Sequence, residues 1–314
     1  MPYPLYIPSQ VLDAISKHIA DAVERAVDGF WSANEDEDTL TGHLGACLKI
    51  GVQTVHVTGD EINGPWKWSI DYAKFRGRGK NATESFLGAD GIFELSLDHG
   101  FRTETKSLLF QSKTDWQSSP DLVEQSLVLS NWREAAIAVN YTPISFDAYS
   151  IDSVIASQGE KARAKDGLPL AVALGDYFIR CKIGNTELRY DARARRLYWR
   201  DINGLLVAVQ FSIPQRIRLL VEAPARKNMQ YVDKEILPEE VHQHRMAVDA
   251  EEVLTPILTT QNSDSKKVRR GLAMAYHPDR FANFSQFVRD IANHRMQEVN
   301  SASDEVDKRK RRGD

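Results

Sequence analysis

The sequence predicts a mixed α/β core, followed by a small antiparallel β domain and a helical C-terminal segment. Apolar residues recur at helical spacing over 9–31 and 35–50. The period then changes to two in four segments between 52 and 113, before a helical pattern returns at 119–132. The 314 residues are enough for two or three domains, and we place the boundaries at 1–150, 151–232 and 233–314.

The pattern of the first region predicts helices followed by three or four strands, then another helix and a last strand. "SQVLDAISKHIADAVERAVDGFW" (9–31) begins with a serine that can cap a helix, and "EDEDTLTGHLGACLKI" (35–50) is acidic at its start, as the helix dipole favours. Ser119 and Pro120 form a cap and first-turn pair ahead of the helix at 119–132. The predicted strands are 52–59, 66–72, 90–97, 107–113 and 134–142, and the last is apolar enough to be buried on both faces.

The second region predicts a polar, helical connection over 151–167 and then a five-stranded antiparallel meander over 168–224. Its strands are "YFIRCKIG", "ELRYD", "RLYWRD", "LLVAVQF" and "RIRLLVEA". Asn203-Gly204 is a strong hairpin signal between two of them. Residues 225–248 have the mixed charge of a linker, and 249–314 return to helical spacing.

Composition limits the classes of function. A formal charge of −4 and a pI near 6.1 give no overall nucleic-acid signal, so a basic surface must be local. The two cysteines have neither metal-site spacing nor a disulfide pattern, which indicates a reducing compartment. The N-terminus does not resemble a signal peptide, and no apolar run is long enough to span a bilayer. We therefore expect a cytoplasmic protein with no membrane contact.

Two predicted strands carry the side chains of a candidate catalytic site. Because residues two apart in a strand share a face, Asp90 and Glu94 point together, and so do Gln111 and Lys113 on the next strand. Carboxylate and amide oxygens suit Mg²⁺, and a lysine can orient water and balance negative charge. The pattern predicts metal-dependent phosphodiester hydrolysis at an exposed face, where substitution of Asp90 or Lys113 costs little stability.

These residues resemble the PD-(D/E)xK nuclease superfamily, in the Mrr-like restriction endonuclease branch that has Gln-x-Lys. The resemblance implies a restriction-endonuclease-like core with Mg²⁺ or Mn²⁺ as cofactor. Glu37, Glu84 and Gln125 are similar to a helix-borne metal-site glutamate, an upstream glutamate and a glutamine that faces the site. Because Gln111 replaces an acid, Glu37, Glu84 or Glu94 must compensate. The implied catalytic set is Asp90, Gln111, Lys113, Glu37 and Glu84, and the implied metal ligands are Asp90, Glu37, Glu94 and Gln111.

The segment "KFRGRGK" (74–80) follows a predicted strand and places cations around glycines. Glycine lets the backbone approach a phosphate closely, and the cations offset its charge. We expect Lys74, Arg76, Arg78 and Lys80, together with Gln125, to contact nucleic acid. A solvated hairpin loop is the alternative.

The C-terminal segment resembles a J-domain, the Hsp70 co-chaperone module. A basic helix precedes the tripeptide His277, Pro278, Asp279, and a helix with Asn300 and Ala302 follows it. The resemblance implies that an Hsp70 of the DnaK type is bound by the tripeptide and by Lys266, Lys267, Arg269 and Arg270. Ser303 stands where an aromatic residue is usual, and a basic helical tail that binds nucleic acid is the alternative.

Two classes of function compete. The first is a metal-dependent nuclease acting on nucleic acid, DNA rather than RNA, in bacterial anti-phage defence. Its expected partners are an Hsp70 chaperone, a defence-system protein or a second copy of the chain. The second is a non-catalytic J-domain adaptor whose N-terminal domain binds nucleic acid or a client. Only the first explains the alignment of Asp90, Gln111 and Lys113.

Overall fold

The fold of the computed structural model is mixed α/β and is built on an eight-stranded sheet. The structure describes residues 5–60, 62–75, 89–100, 102–165, 167–200, 206–211 and 213–224, and near the C-terminus only 277, 293, 296, 297, 299 and 300. The strand order is β1-β2-β11-β3-β4-β5-β6-β7, and β10-β9-β8 form a separate sheet. The large-sheet strands are Ile50–Val57, Gly64–Lys74, Gly91–Asp98, Thr103–Thr114, Ala136–Tyr141, Phe146–Ser150 and Leu168–Pro169 (β1 to β7) and Gln215–Glu222 (β11).

Helices at the N-terminus cover one face of the large sheet. Helix α1 spans Ser9–Asp28 and buries a stripe that includes Val11, Ile15 and Ile19. Ser9 is its first residue, and Pro8 occupies the position before it, so the expected serine cap does not form. A single turn, α2 (Phe30–Ala33), precedes α3 (Glu37–Leu48). Asp36 caps α3 through a 2.6 Å hydrogen bond from the Thr39 N–H.

The other face supports a second core. Helix α4 (Pro120–Leu129) begins after Ser119, whose side chain accepts from the Leu122 N–H as the sequence predicted. A 3₁₀ turn (Ser130–Ala135) leads to β5, and α5 (Ile151–Ala156) follows β6. The small sheet comprises β8 (Arg189–Asp191), β9 (Arg196–Arg200) and β10 (Leu206–Gln210). Apolar residues of these elements pack with Ile92 and Leu109 of β3 and β4.

Strand β11 corrects the predicted meander. Residues 215–222 pair in parallel with β3 and antiparallel with β2, so they belong to the large sheet rather than to the small one. The hairpin β1–β2 is consequently separated from β3 by a strand that lies more than 100 residues further along the chain. The small sheet has three strands instead of five.

The segment "YFIRCKIG" was predicted to be a strand but has a different structure. Helix α6 (Leu170–Val172) continues into a π-helical segment, Ala173–Phe178, and Cys181 follows with a φ of 61°. Phe178 and Ile179 are buried against the N-terminal helices, so tertiary packing outweighs the β-propensity of these residues. None of the helices in the described residues is long and apolar enough to cross a membrane.

Candidate active site

Asp90 lies immediately before β3 and is held by the neighbouring strand. Its N–H donates to the Phe110 carbonyl at 3.0 Å, which extends the β3–β4 pairing. Its Oδ2 accepts three hydrogen bonds, from Gln111 Nε2 (2.6 Å), Ser112 N (2.7 Å) and Ser112 Oγ (2.7 Å). The structure therefore brings Asp90 and Gln111 into direct contact.

The electrostatic surroundings of Asp90 act in opposite directions. Burial is the largest effect and raises the pKa of the carboxyl group above its ordinary value. The Ser112 hydrogen bonds and the Lys113 ammonium lower that pKa, and the Glu37 carboxylate raises it. Both Lys113 and Glu37 therefore lie close enough to Asp90 to influence its charge.

Lys113 and Glu37 meet where β4 approaches the start of α3. Lys113 Nζ donates to Glu37 Oε2 at 3.4 Å, and the Thr114 N–H donates to Glu37 Oε1 at 3.3 Å. The Lys113 side chain is 19% exposed and that of Glu37 is 37% exposed, so solvent still reaches the pair. Glu37 is the first residue of α3, and it reaches towards the sheet from the helix as the sequence predicted.

A buried hydroxyl pair holds the first turn of α3 against the sheet. Thr41 Oγ1 donates to the Glu37 carbonyl at 2.8 Å and lies 3.1 Å from the Tyr141 hydroxyl. Both side chains are fully buried, and burial raises the pKa of Tyr141, which stays neutral. Because Tyr141 is on β5 beside β4, this contact fixes the position of Glu37 relative to Lys113.

A second buried contact comes from β11. Gln215 Nε2 donates to the Asp38 carbonyl (3.1 Å) and to Asp38 Oδ1 (2.7 Å), while its Oε1 accepts from the Tyr72 hydroxyl (2.8 Å). Gln215 is 1% exposed. The first turn of α3 is thus bonded to strands on both sides of β3 and β4. Sequence reasoning missed Gln215, because no motif or local spacing links it to a helix at residue 37.

Two further expected site residues, Glu94 and Gln125, lie on β3 and α4. Glu94 is four residues further along the chain from Asp90 and forms an ion pair with Arg216 Nε at 3.5 Å, and its expected role as a metal ligand stays a prediction. Burial raises the pKa of Glu94, while Arg216 and Arg218 lower it. Gln125 lies on α4 with its Oε1 buried and without a hydrogen-bond partner. Its expected role in binding nucleic acid stays a prediction.

Several other predicted positions lie outside the described residues. They are Arg76, Arg78, Lys80 and Glu84 in the first region, and Lys266, Lys267, Arg269, Arg270, Pro278 and Asp279 in the last. Lys74 is described and forms an ion pair with Asp38. His277 is described as exposed. Val299 is buried in the second core and Met296 packs against it, so two apolar positions of the predicted last helix contact the α/β core.

The oxygen donors at this site are of the type that binds a hard cation, but they are few. Among the described residues, no three His, Cys, Asp or Glu side chains lie close enough together to hold a metal ion. Asp90, Glu37 and Gln111 supply two carboxylates and an amide oxygen, the donor types that Mg²⁺ prefers. Comparisons with protein-family models, curated proteins and solved structures gave no match to this chain.

Proposed function

We propose that this protein is a metal-dependent nuclease that hydrolyses phosphodiester bonds of nucleic acid, with DNA as the substrate rather than RNA. One observation carries the proposal. Asp90, bonded to Gln111, lies within electrostatic reach of Lys113 and Glu37, which contact each other at 3.4 Å. A half-buried aspartate whose pKa is raised by burial, next to a half-buried lysine, is an arrangement that is concentrated at functional sites.

The residues divide into distinct roles. Asp90, Glu37 and the Gln111 amide oxygen would hold Mg²⁺ or Mn²⁺, since the Gln111 nitrogen already donates to Asp90. The bound cation supplies a lowered pKa for water and offsets negative charge on the phosphate. Lys113, which is 19% exposed, orients the attacking water and balances the charge that develops on the phosphate oxygens.

Neighbouring groups keep these side chains in place. The two Ser112 hydrogen bonds keep the Asp90 carboxylate fixed, and the Thr41 and Gln215 contacts keep the start of α3 against the sheet. We place the activity in the cytoplasm, in anti-phage defence. The predicted C-terminal J-like module would recruit a DnaK-type chaperone or a defence-system partner.

Cleavage of a supercoiled plasmid, and of an RNA of similar length, tests the proposal in Mg²⁺, Mn²⁺ and EDTA. We expect the wild-type protein to cleave the plasmid with either metal and not in EDTA. Lys113→Met should reduce the rate by about 10²- to 10⁴-fold, the usual effect of removing one catalytic group. Lys182→Met, at an exposed lysine that contacts Tyr177, is the matched control and should cleave normally. Equal cleavage by wild type and Lys113→Met would refute the assigned site.

A further inference from the structure

The hairpin formed by β8 and β9 carries an unusual concentration of arginine. Residues 189–200 contain five arginines and a single acid, in a chain whose formal charge is −4. The arginines that the structure describes with their side chains are Arg189, Arg193, Arg195 and Arg196, and all four are exposed. We call residues 189–196 the arginine hairpin. It is a local basic surface on a chain whose overall charge is negative.

The hairpin is firmly attached to the second core by its inward-facing side chains. Tyr190 and Leu197 are opposite each other in the β8–β9 pairing, and both are buried. The Tyr190 hydroxyl accepts from the Ile213 N–H at 3.3 Å. At the turn, Asp191 Oδ1 accepts from the N–H groups of residues 193 (2.8 Å) and 194 (3.0 Å), and these bonds lower the pKa of Asp191. The only acid of the segment is therefore used to close the turn.

The outward-facing arginines remain available. Within the described part of the chain, no ion pair joins Arg189, Arg193, Arg195 or Arg196 to an acid. The guanidinium group presents a fork of donors that matches the two oxygens of a phosphate. Four such groups on one ordered hairpin match a repeating array of phosphates better than a single small anion.

We propose that the arginine hairpin binds the phosphate backbone of duplex DNA and so holds the DNA on this protein. The hairpin belongs to the three-stranded sheet β10-β9-β8, and its exposed arginines can contact the phosphates that border the wide major groove of B-DNA, whereas the major groove of duplex RNA is narrow and deep. Single strands are bound by exposed aromatic platforms. Trp199 of β9 is instead half-buried and packs edge-to-face on Trp132, with ring centroids 5.1 Å apart.

The hairpin packs on the same core as the strands that lead to the candidate active site. Leu188 and Leu197 pack in the same core as Ile92 and Leu109. Ile92 and Leu109 are each two residues along their strands from Asp90 and Gln111. The inference deepens the proposed nuclease function by naming its substrate contact, and it rests on that function. Binding in the absence of metal nevertheless tests it separately.

Fluorescence anisotropy of a labelled DNA duplex, titrated with the full chain in EDTA, measures this contact. The test variant is Arg193→Gln/Arg195→Gln/Arg196→Gln. The control replaces three other cations, Lys17→Gln/Arg163→Gln/Lys165→Gln, which are also exposed and remove the same charge. Circular dichroism and thermal unfolding show whether each variant is folded.

We expect the test variant to bind duplex about 100-fold or more weakly than wild type at 0.1 M salt, because each phosphate contact contributes about 8-fold between 1 M and 0.1 M. The slope of log K against log salt should fall by roughly 2.7, at about 0.9 for each arginine. The control should bind like wild type.

The proposal would be overturned by the absence of duplex binding by wild type, by equal binding of the two triple variants, or by tighter binding of single strands than of duplex. Binding of an acidic peptide, such as polyglutamate, in preference to DNA would assign the hairpin to a protein partner and also overturn it. Arginine-dependent duplex binding without any cleavage in Mg²⁺ would reject the nuclease and leave the hairpin assignment in place.

Discussion

Substitution of Asp90 should separate the hydrogen-bonding role of this residue from its charge. Asp90→Ala leaves the three donors from Gln111 and Ser112 without their acceptor. An unsatisfied buried donor costs about 1–3 kcal/mol, and solvent at this half-buried site relieves part of that, so we expect a loss of about 3 kcal/mol. The corresponding fall in melting temperature is about 6–12 °C. The sequence-based expectation of little cost is revised because Asp90 is not freely exposed.

Asp90→Asn keeps an oxygen acceptor and removes the charge. Since burial raises the pKa of Asp90, wild type loses stability as pH rises from the unfolded value, about 3.9, to the folded one. Asn does not titrate, so Asp90→Asn should gain stability relative to wild type as pH rises between these two pKa values. At neutral pH the variant should therefore be at least as stable as wild type. Both substitutions should abolish Mg²⁺-dependent cleavage.

Thermal unfolding followed by circular dichroism at pH 4 and pH 7.5, with plasmid cleavage in parallel, measures both effects. Asp98→Asn, at the far end of β3, is the matched control, because its exposed carboxylate accepts a hydrogen bond from the Gly100 N–H at 2.7 Å. This expectation is wrong if Asp90→Ala has the same melting temperature as wild type, or if Asp90→Asn is less stable than Asp90→Ala at pH 7.5.

Three further outcomes can be measured by thermal unfolding. Gly45→Ala should cost about 1–3 kcal/mol of stability, because the added Cβ would lie 2.3 Å from the Tyr72 ring. Gly51→Ala is the control and should be near neutral, since no atom lies within 4 Å of its added Cβ. Equal effects of the two substitutions would contradict the packing at Gly45. Asp36→Ala should cost about 1 kcal/mol by removing the α3 cap. Because its folded pKa is lowered, that cost should disappear as pH falls through this value, and a pH-independent cost would argue against the cap. Burial lowers the pKa of Lys106, so wild type should gain stability relative to Lys106→Met as pH rises towards about 10.4; no gain would contradict the burial effect.

The sequence identified the site strands because their evidence is local. Alternation over 90–97 and 107–113 predicted β3 and β4, and these strands pair antiparallel from Gly91–Phe110 to Asp98–Thr103. Acidic residues at the start of the predicted helix likewise located α3 and Glu37. Each prediction depends on residues within one or two turns or strand repeats, where spacing decides which side chains share a face.

The position of β11 could not be predicted in this way. Ile217, Leu219 and Val221 alternate as they would in any half-buried strand, and the pattern does not identify the strands they pair with. The ion pair of Glu94 could not be predicted for the same reason. Alternation places Glu94 on the face of Asp90, but Arg216, more than 100 residues away in sequence, lies on the adjacent strand and pairs with it.

A short chain segment joins the arginine hairpin to the first turn of α3. The Phe211 N–H donates to the Arg195 carbonyl at 3.0 Å, and the Ile213 N–H donates to the Tyr190 hydroxyl at 3.3 Å. Two residues later, Gln215 begins β11 and bonds to the helix that carries the site glutamate. Substitutions at Tyr190 or Ile213 would disturb both regions, so loss of DNA binding in them would not locate the contact. Exposed guanidinium groups at the tip can be removed without breaking this connection, and their effect on binding therefore reports on DNA contact itself.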